Sequence, residues 1–306
     1  MAFTAKDVAA LREKTGCGMM DCKKALTASN GDMDAALDFL REKGLAAAVK
    51  KADRIAAEGV AFATVNADAT VGVVIEVNAE TDFVAKNAEF QNFVKVCAET
   101  VMAQNPADVD ALLACKAEGS ELTVDALLKE KILVIGENIK VRRFARFEGH
   151  VAAYIHAGGR IGVLVNFNTD AADKEGFADY AKDVAMQVAA ANPGYLNEAS
   201  VPAEVLAHEK EILLAQIAND PKNANKPEAI KEKMVVGRIG KFYKENCLVD
   251  QEFVKDPDLS VAKYTEKVAK ELGGSIEITG FVRFEKGEGL EKRADNFAEE
   301  IASMVK

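Results

Sequence analysis

The sequence predicts an α+β protein: a small helical module, a core of two repeated β-β-α-β subdomains with antiparallel sheets, an inserted helical hairpin and a terminal helix. Three observations carry this. The first is an internal repeat, in which Glu58-Gly59 matches Glu148-Gly149, Val71-Gly72-Val73-Val74 matches Ile161-Gly162-Val163-Leu164, and Asn78 matches Asn168, all at one offset. The second is a change of hydrophobic period inside each copy, from two to three or four, which marks strands followed by a helix. The third is a pair of apolar helical stripes that interrupts the second copy before its last strand.

Residues 1–44 read as a three-helix module. Thr4 and Asp7 form a variant capping box for a helix carrying Val8 and Leu11, and Gly16-Cys17-Gly18 ends it. A second helix follows from about Met20 to Ser29. Asn30-Gly31 then turns the chain, Asp32 caps a third helix with Ala36, Leu37 and Leu40 inward, and Gly44 is expected as its C-cap. A unit this small has no room for a catalytic cleft. Its flexible, polarisable Met19 and Met20 are either core filler or a contact surface for another protein. Residues 45–58, Ala-rich with a basic cluster, read as a helical or partly mobile connector at a domain boundary.

Core subdomain 1 spans 59–147, and core subdomain 2 spans 148–193 plus 246–288. Each opens with a β-hairpin, turning near Asn66–Ala69 and near Ala157–Gly159. The helix marked by Phe90, Phe93 and Val101 ends at Asn105-Pro106, and its counterpart with Phe177, Tyr180 and Val188 ends at Asn192-Pro193. Closing strands lie at Ile139–Glu148 and Ile276–Glu285. Between them, 194–245 holds the inserted hairpin: Val205, Leu206, Ile212, Leu213 and Ile217 on one helix, Ile230, Met234, Val235 and Ile239 on the next. Such a hairpin either projects as a coiled coil, to dimerise the protein or touch a partner, or packs flat on the core. Phe253 and Val254 form an apolar pair in a polar loop, and 289–306 reads as a terminal helix with Leu290, Ala294, Phe297, Ile301 and Met304 on one face.

Composition narrows the function. A net charge of −10 disfavours nucleic acid as the main partner. Five cysteines, odd in number and mostly on helical stripes, point to free thiols in a reducing compartment, and with no signal-like N-terminus a cytoplasmic location is expected. No apolar run reaches the roughly twenty residues that span a bilayer. With three histidines and no HExxH, CxxC or GxxxxGK pattern, no metal, cofactor or catalytic residue is expected.

The stretch Glu76–Asn87 stands apart. A strand ends and a helix begins around it, and neither period claims Phe83, which could be tucked under the loop or presented. The repeat bears on this choice. The second copy turns the same corner through Thr169-Asp170-Ala171-Ala172-Asp173 with three fewer residues and no aromatic, so the fold does not require the longer version.

Four motifs, Leu11 to Leu26, Glu76 to Asn87, Ile135 to Ile139 and His156 to Val165, together with Gly280-Phe281-Val282-Arg283-Phe284, resemble the translation elongation factor Ts family over nearly the whole chain. Ala79 stands where many members carry cysteine, so no redox role passes to it. The resemblance implies a guanine-nucleotide exchange factor for elongation factor Tu, not an enzyme, whose N-terminal module is ubiquitin-associated-like. It implies that Thr81, Asp82, Phe83 and Val84 enter Tu's GTP-binding domain, with the aromatic wedging near the magnesium site. Met19, Met20 and Lys23 are implied to approach the same domain. Ile135, Gly136 and His156 are implied as core contacts, the last towards another Tu domain, along with Phe253 and Val254. A homodimer or 2:2 assembly through the hairpin is open to such a chain. Two other classes compete with this reading: a non-exchanging adaptor that uses residues 1–44 alone, and an enzyme pairing Asp82 with His156.

Overall fold

The computed structural model describes residues 3–223 and 226–291, so the terminal helix expected over 289–306 lies almost wholly outside the described residues. Three helices open the chain: α1 (Ala5–Thr15), α2 (Met19–Ala28) and α3 (Met33–Lys51). The Thr4 and Asp7 box forms as expected, and the Asp32 carboxylate accepts from the N–H groups of Asp34 and Ala35 at 2.9 Å. Val8, Leu11, Leu26 and Leu40 bury between the helices.

Gly44 corrects one expectation. It caps nothing, because α3 continues through it to Lys51. Its missing side chain serves a close approach instead: a Cβ there would stand 3.1 Å from the carbonyl oxygen of Lys129 on a neighbouring helix.

The first sheet has the order β1-β2-β3, all antiparallel, from β1 (Glu58–Val65), β2 (Val71–Ala79) and β3 (Lys140–Glu148). Between β2 and β3 run α4 (Asp82–Ala85), α5 (Ala88–Gln104), α6 (Val109–Ala114) and α7 (Val124–Ile135). In the second half come β4 (His150–His156), β5 (Ile161–Thr169), α8 (Phe177–Ala191), α9 (Ala203–Asn219) and α10 (Glu228–Asn246). The short strands β6 (Glu252–Phe253) and β7 (Asp256–Ser260), then α11 (Val261–Leu272) and β8 (Ile276–Glu285), complete it. Its sheet has the order β4-β5-β8, again antiparallel. The described residues thus form a mixed α+β structure with eleven α-helices and antiparallel sheets. In α9 and α10, Leu213, Ile217, Val235 and Ile239 meet in one seam.

Helix α5 covers one face of the first sheet and α8 one face of the second. The opposite faces meet each other through Ala63, Val74, Val151, Leu164 and Phe147. Central strands β2 and β5 are therefore buried on both sides, which is why Val73-Val74-Ile75 and Val163-Leu164-Val165 are unbroken apolar runs. Contact is close at the two repeat-matched glycines. A Cβ at Gly72 would lie 2.5 Å from a Val151 methyl, and one at Gly162 would lie 3.0 Å from the Ala61 carbonyl oxygen. Because the second obstacle is backbone, Gly162→Ala is expected to cost about 1–3 kcal/mol of stability. Urea denaturation checks this, and an unchanged midpoint would mean that the sheets can part without cost.

Candidate functional site

Strand β2 delivers the chain to Thr81, whose extended backbone (φ −129°, ψ 157°) makes it the N-cap of α4, with its hydroxyl accepting from the Val84 N–H at 3.4 Å. The expected loop is in fact one turn of helix. Val84 and Ala85 point into the first core, and Phe83, 80% exposed, points away from it. The second copy has no helix at this corner. Asp82 lies in water beside Lys86, 2.9 Å from its ammonium, and the bond and charge of Lys86 hold its carboxyl below the usual range.

The turn is clasped from the side by the connection that follows α7. Glu137 accepts from the N–H groups of Glu80 (3.1 Å) and Thr81 (3.0 Å) and from the Thr81 hydroxyl (2.7 Å). In return, the Glu80 carboxylate accepts from the Asn138 N–H at 2.6 Å, and the Asn138 side chain donates to the Arg54 carbonyl at 2.7 Å. Sequence reasoning did not single out Glu137, Glu80 or Asn138. The available signal was a motif, Ile135 to Ile139, whose polar residues follow a helix end and so have no helical partners of their own.

The other expected site residues fall into three places. Met19 and Met20 occupy the exposed first turn of α2, at 58% and 61%, with Lys23 exposed one turn on. Their module packs on α7 through Leu133 and Val134. Ile135 ends α7 half-buried, and Gly136 is its left-handed cap at φ +87°, directly before Glu137. Exposed His156 closes β4, its Nδ1 3.2 Å from the Tyr154 hydroxyl. The structure thus joins Thr81–Val84 to Ile135–Gly136 through Glu137, and seats Met19, Met20 and Lys23 on a module that packs against the same helix. His156 and Val254 belong to the second half. Asp82 and His156 share no hydrogen bond among the described residues; the first is engaged with Lys86, the second with Tyr154.

Phe253 requires correction. Instead of standing in a loop beside Val254 it is 3% exposed, stacked on Tyr264 with ring centroids 4.1 Å apart. Phe253 closes β6 and enters the core, while Val254 stands in the turn between β6 and β7 and stays 47% exposed. Gln187, buried on α8, accepts from the Val254 N–H at 2.8 Å and fixes the tip. Among the described residues, no group of three or more His, Cys, Asp and Glu could hold a metal, and no helix is long and apolar enough to cross a membrane.

Fold and site together define a protein that displays an aromatic at its surface on a turn tied down by side-chain hydrogen bonds. The family model described as "Elongation factor TS" matches residues 80–288. "Elongation factor Ts" of Clostridium perfringens is 55% identical over 305 residues, 99% of each chain. Proteins of that name from Syntrophotalea carbinolica and Trichlorobacter lovleyi are each 49% identical, over all of this chain and 100% and 99% of theirs. The chain belongs to the elongation factor Ts family and is a translation elongation factor.

Proposed function

We propose that the chain is a guanine-nucleotide exchange factor that binds elongation factor Tu in its GDP form, disturbs the magnesium and phosphate site, and promotes GDP release so that GTP can bind. The observation that carries this reading is Phe83, 80% exposed on a turn whose backbone is pinned by Glu137. No proton transfer or nucleophile is needed, and none is assigned. A partner that prefers the displaced, empty conformation of Tu weakens GDP by the same factor, by reciprocity. Burying one phenylalanine is worth about 1.5–3 kcal/mol. Converting a 1:99 equilibrium to 99:1 needs about 5.5 kcal/mol. Phe83 therefore acts with other contacts, for which exposed Met19, Met20, His156 and Val254 are the candidates.

On this reading the protein works in the cytoplasm, in keeping with five free cysteines, four of them buried. Ile212, Ile230 and Val236 are exposed on α9 and α10, which would suit a coiled-coil contact in a homodimer or 2:2 assembly. The experiment is release of a fluorescent GDP from Tu, chased with unlabelled GDP, with and without this protein. Faster release is expected. Unchanged release, with residues 1–44 alone still binding a peptide or ubiquitin-like ligand, would favour the adaptor reading instead.

A further inference from the structure

We propose that Glu137 is the positioning residue of the exchange turn, fixing where Phe83 stands relative to the N-terminal helices; this rests on the exchange reading above. Three bonds converge on its carboxylate, two from successive backbone N–H groups and one from the Thr81 hydroxyl, and that hydroxyl in turn accepts from Val84. One side chain thus sets both the backbone entering α4 and the N-cap that defines its axis, and with them the direction of Phe83. Bonds from N–H groups to a carboxylate are among the stronger ones in proteins. The reciprocal bond from Asn138 to Glu80 makes the junction two-sided, so the turn can neither slide along nor rotate about it freely.

What lies behind Glu137 gives the clasp its purpose. It follows the cap of α7 directly, and α7 is the helix on which the N-terminal module is seated. Val134 faces Gly16, and the Lys129 carbonyl abuts Gly44, where a Cβ on α3 would stand 3.1 Å from its oxygen. The path from Met19 and Met20 to Phe83 therefore runs through packed helix and then through the Glu137 clasp, with the Glu80–Asn138 bond beside it. Two contact groups held as one body do not pay for mutual ordering when they engage a common partner.

The test uses full-length protein. Glu137→Ala is expected to lower the maximal rate of GDP release from Tu about tenfold, the effect of losing bonds of this kind. Glu137→Gln keeps a carbonyl acceptor for the two N–H groups and is expected to retain most of the rate. In the free protein, Glu137→Ala should speed hydrogen exchange at the Glu80 and Thr81 amides while leaving α5 unchanged. Because Glu137 acts through Phe83, the double variant with Phe83→Ala should be no slower than Phe83→Ala alone. Full-speed release by Glu137→Ala, independent multiplication of the two losses, or unchanged amide protection would each overturn the proposal. Were the wild type itself to leave GDP release unaltered, the exchange reading would fall and the positioning role with it, yet lost amide protection would still reveal the clasp, so the two failures are distinguishable.

Discussion

Replacing Glu76 by alanine is expected to remove about 3 kcal/mol of folding stability, towards the low end of what breaking a buried ion pair costs. Its carboxylate is fully buried at the heart of β2 and accepts from Arg142 (3.0 and 3.2 Å), Arg143 (2.6 Å), Asn78 (3.0 Å) and the Gly287 N–H (2.7 Å). Removing it takes from Arg142 and Arg143 their shared buried acceptor and leaves them their contacts at Glu285 and Glu288. Both arginines keep some access to water, which moderates the cost. The pH dependence is equally specific. Burial pushes the Glu76 carboxyl up, but the bonds from Gly287, Asn78, Arg143 and Arg142 outweigh it and leave it below its ordinary 4.5. A carboxyl depressed in the folded state stabilises above its unfolded value and loses that contribution as pH falls through the folded one. The stability gap between wild type and Glu76→Gln should therefore be full at neutral pH and narrow below about 4.5. Chemical denaturation at several pH values checks both parts, and a gap that does not change with pH would rule out a charged Glu76.

Phe83→Ala is the second large effect, and it separates function from folding. The side chain is 80% exposed, so unfolding should shift by no more than about 0.5 kcal/mol. GDP release from Tu should instead slow by about 10–100-fold, the kinetic equivalent of the 1.5–3 kcal/mol that burying a phenylalanine provides. Leucine at this position should recover part of it. Full activity in the alanine variant would remove the wedge while leaving exchange by other contacts intact, and a large fall in stability would show that Phe83 belongs to the core.

Much of the fold was legible because its signals are local. Capping at Thr4 and Asp32, the Asn66 and Ala157 turns, and the helix stops at Asn105 and Asn192 each depend on residues a few positions apart. The repeat added register, since matched glycines and closing strands occupy matched places in the two sheets. What escaped depends on partners distant in sequence. Gly44 looks the same in sequence whether it ends a helix or admits a neighbour, and the neighbour is 85 positions away, at Lys129. Phe253 reads as exposed until α11 brings Tyr264 beneath it, and α11 itself went unread although Val261, Tyr264, Thr265 and Val268 recur at helical spacing. Within the candidate site, Phe83 was visible as an aromatic outside every period. The carboxylate that holds its turn, 56 residues from Thr81, was not.

The Glu76 cluster also fixes an order of events. Gly287 lies 211 residues after the carboxylate it serves, and Lys286 pairs with Glu58 across 228. Arg142 and Arg143 reach Glu288 across 146 and 145 residues. A chain emerging from the ribosome completes β1, β2 and β3 long before these residues exist, so the first sheet must wait with its buried carboxylate only partly satisfied. Closing contacts this remote is slow. The half that displays Phe83 is thus made early and finished late, reaching its final form only when nearly the whole chain is available to lock it.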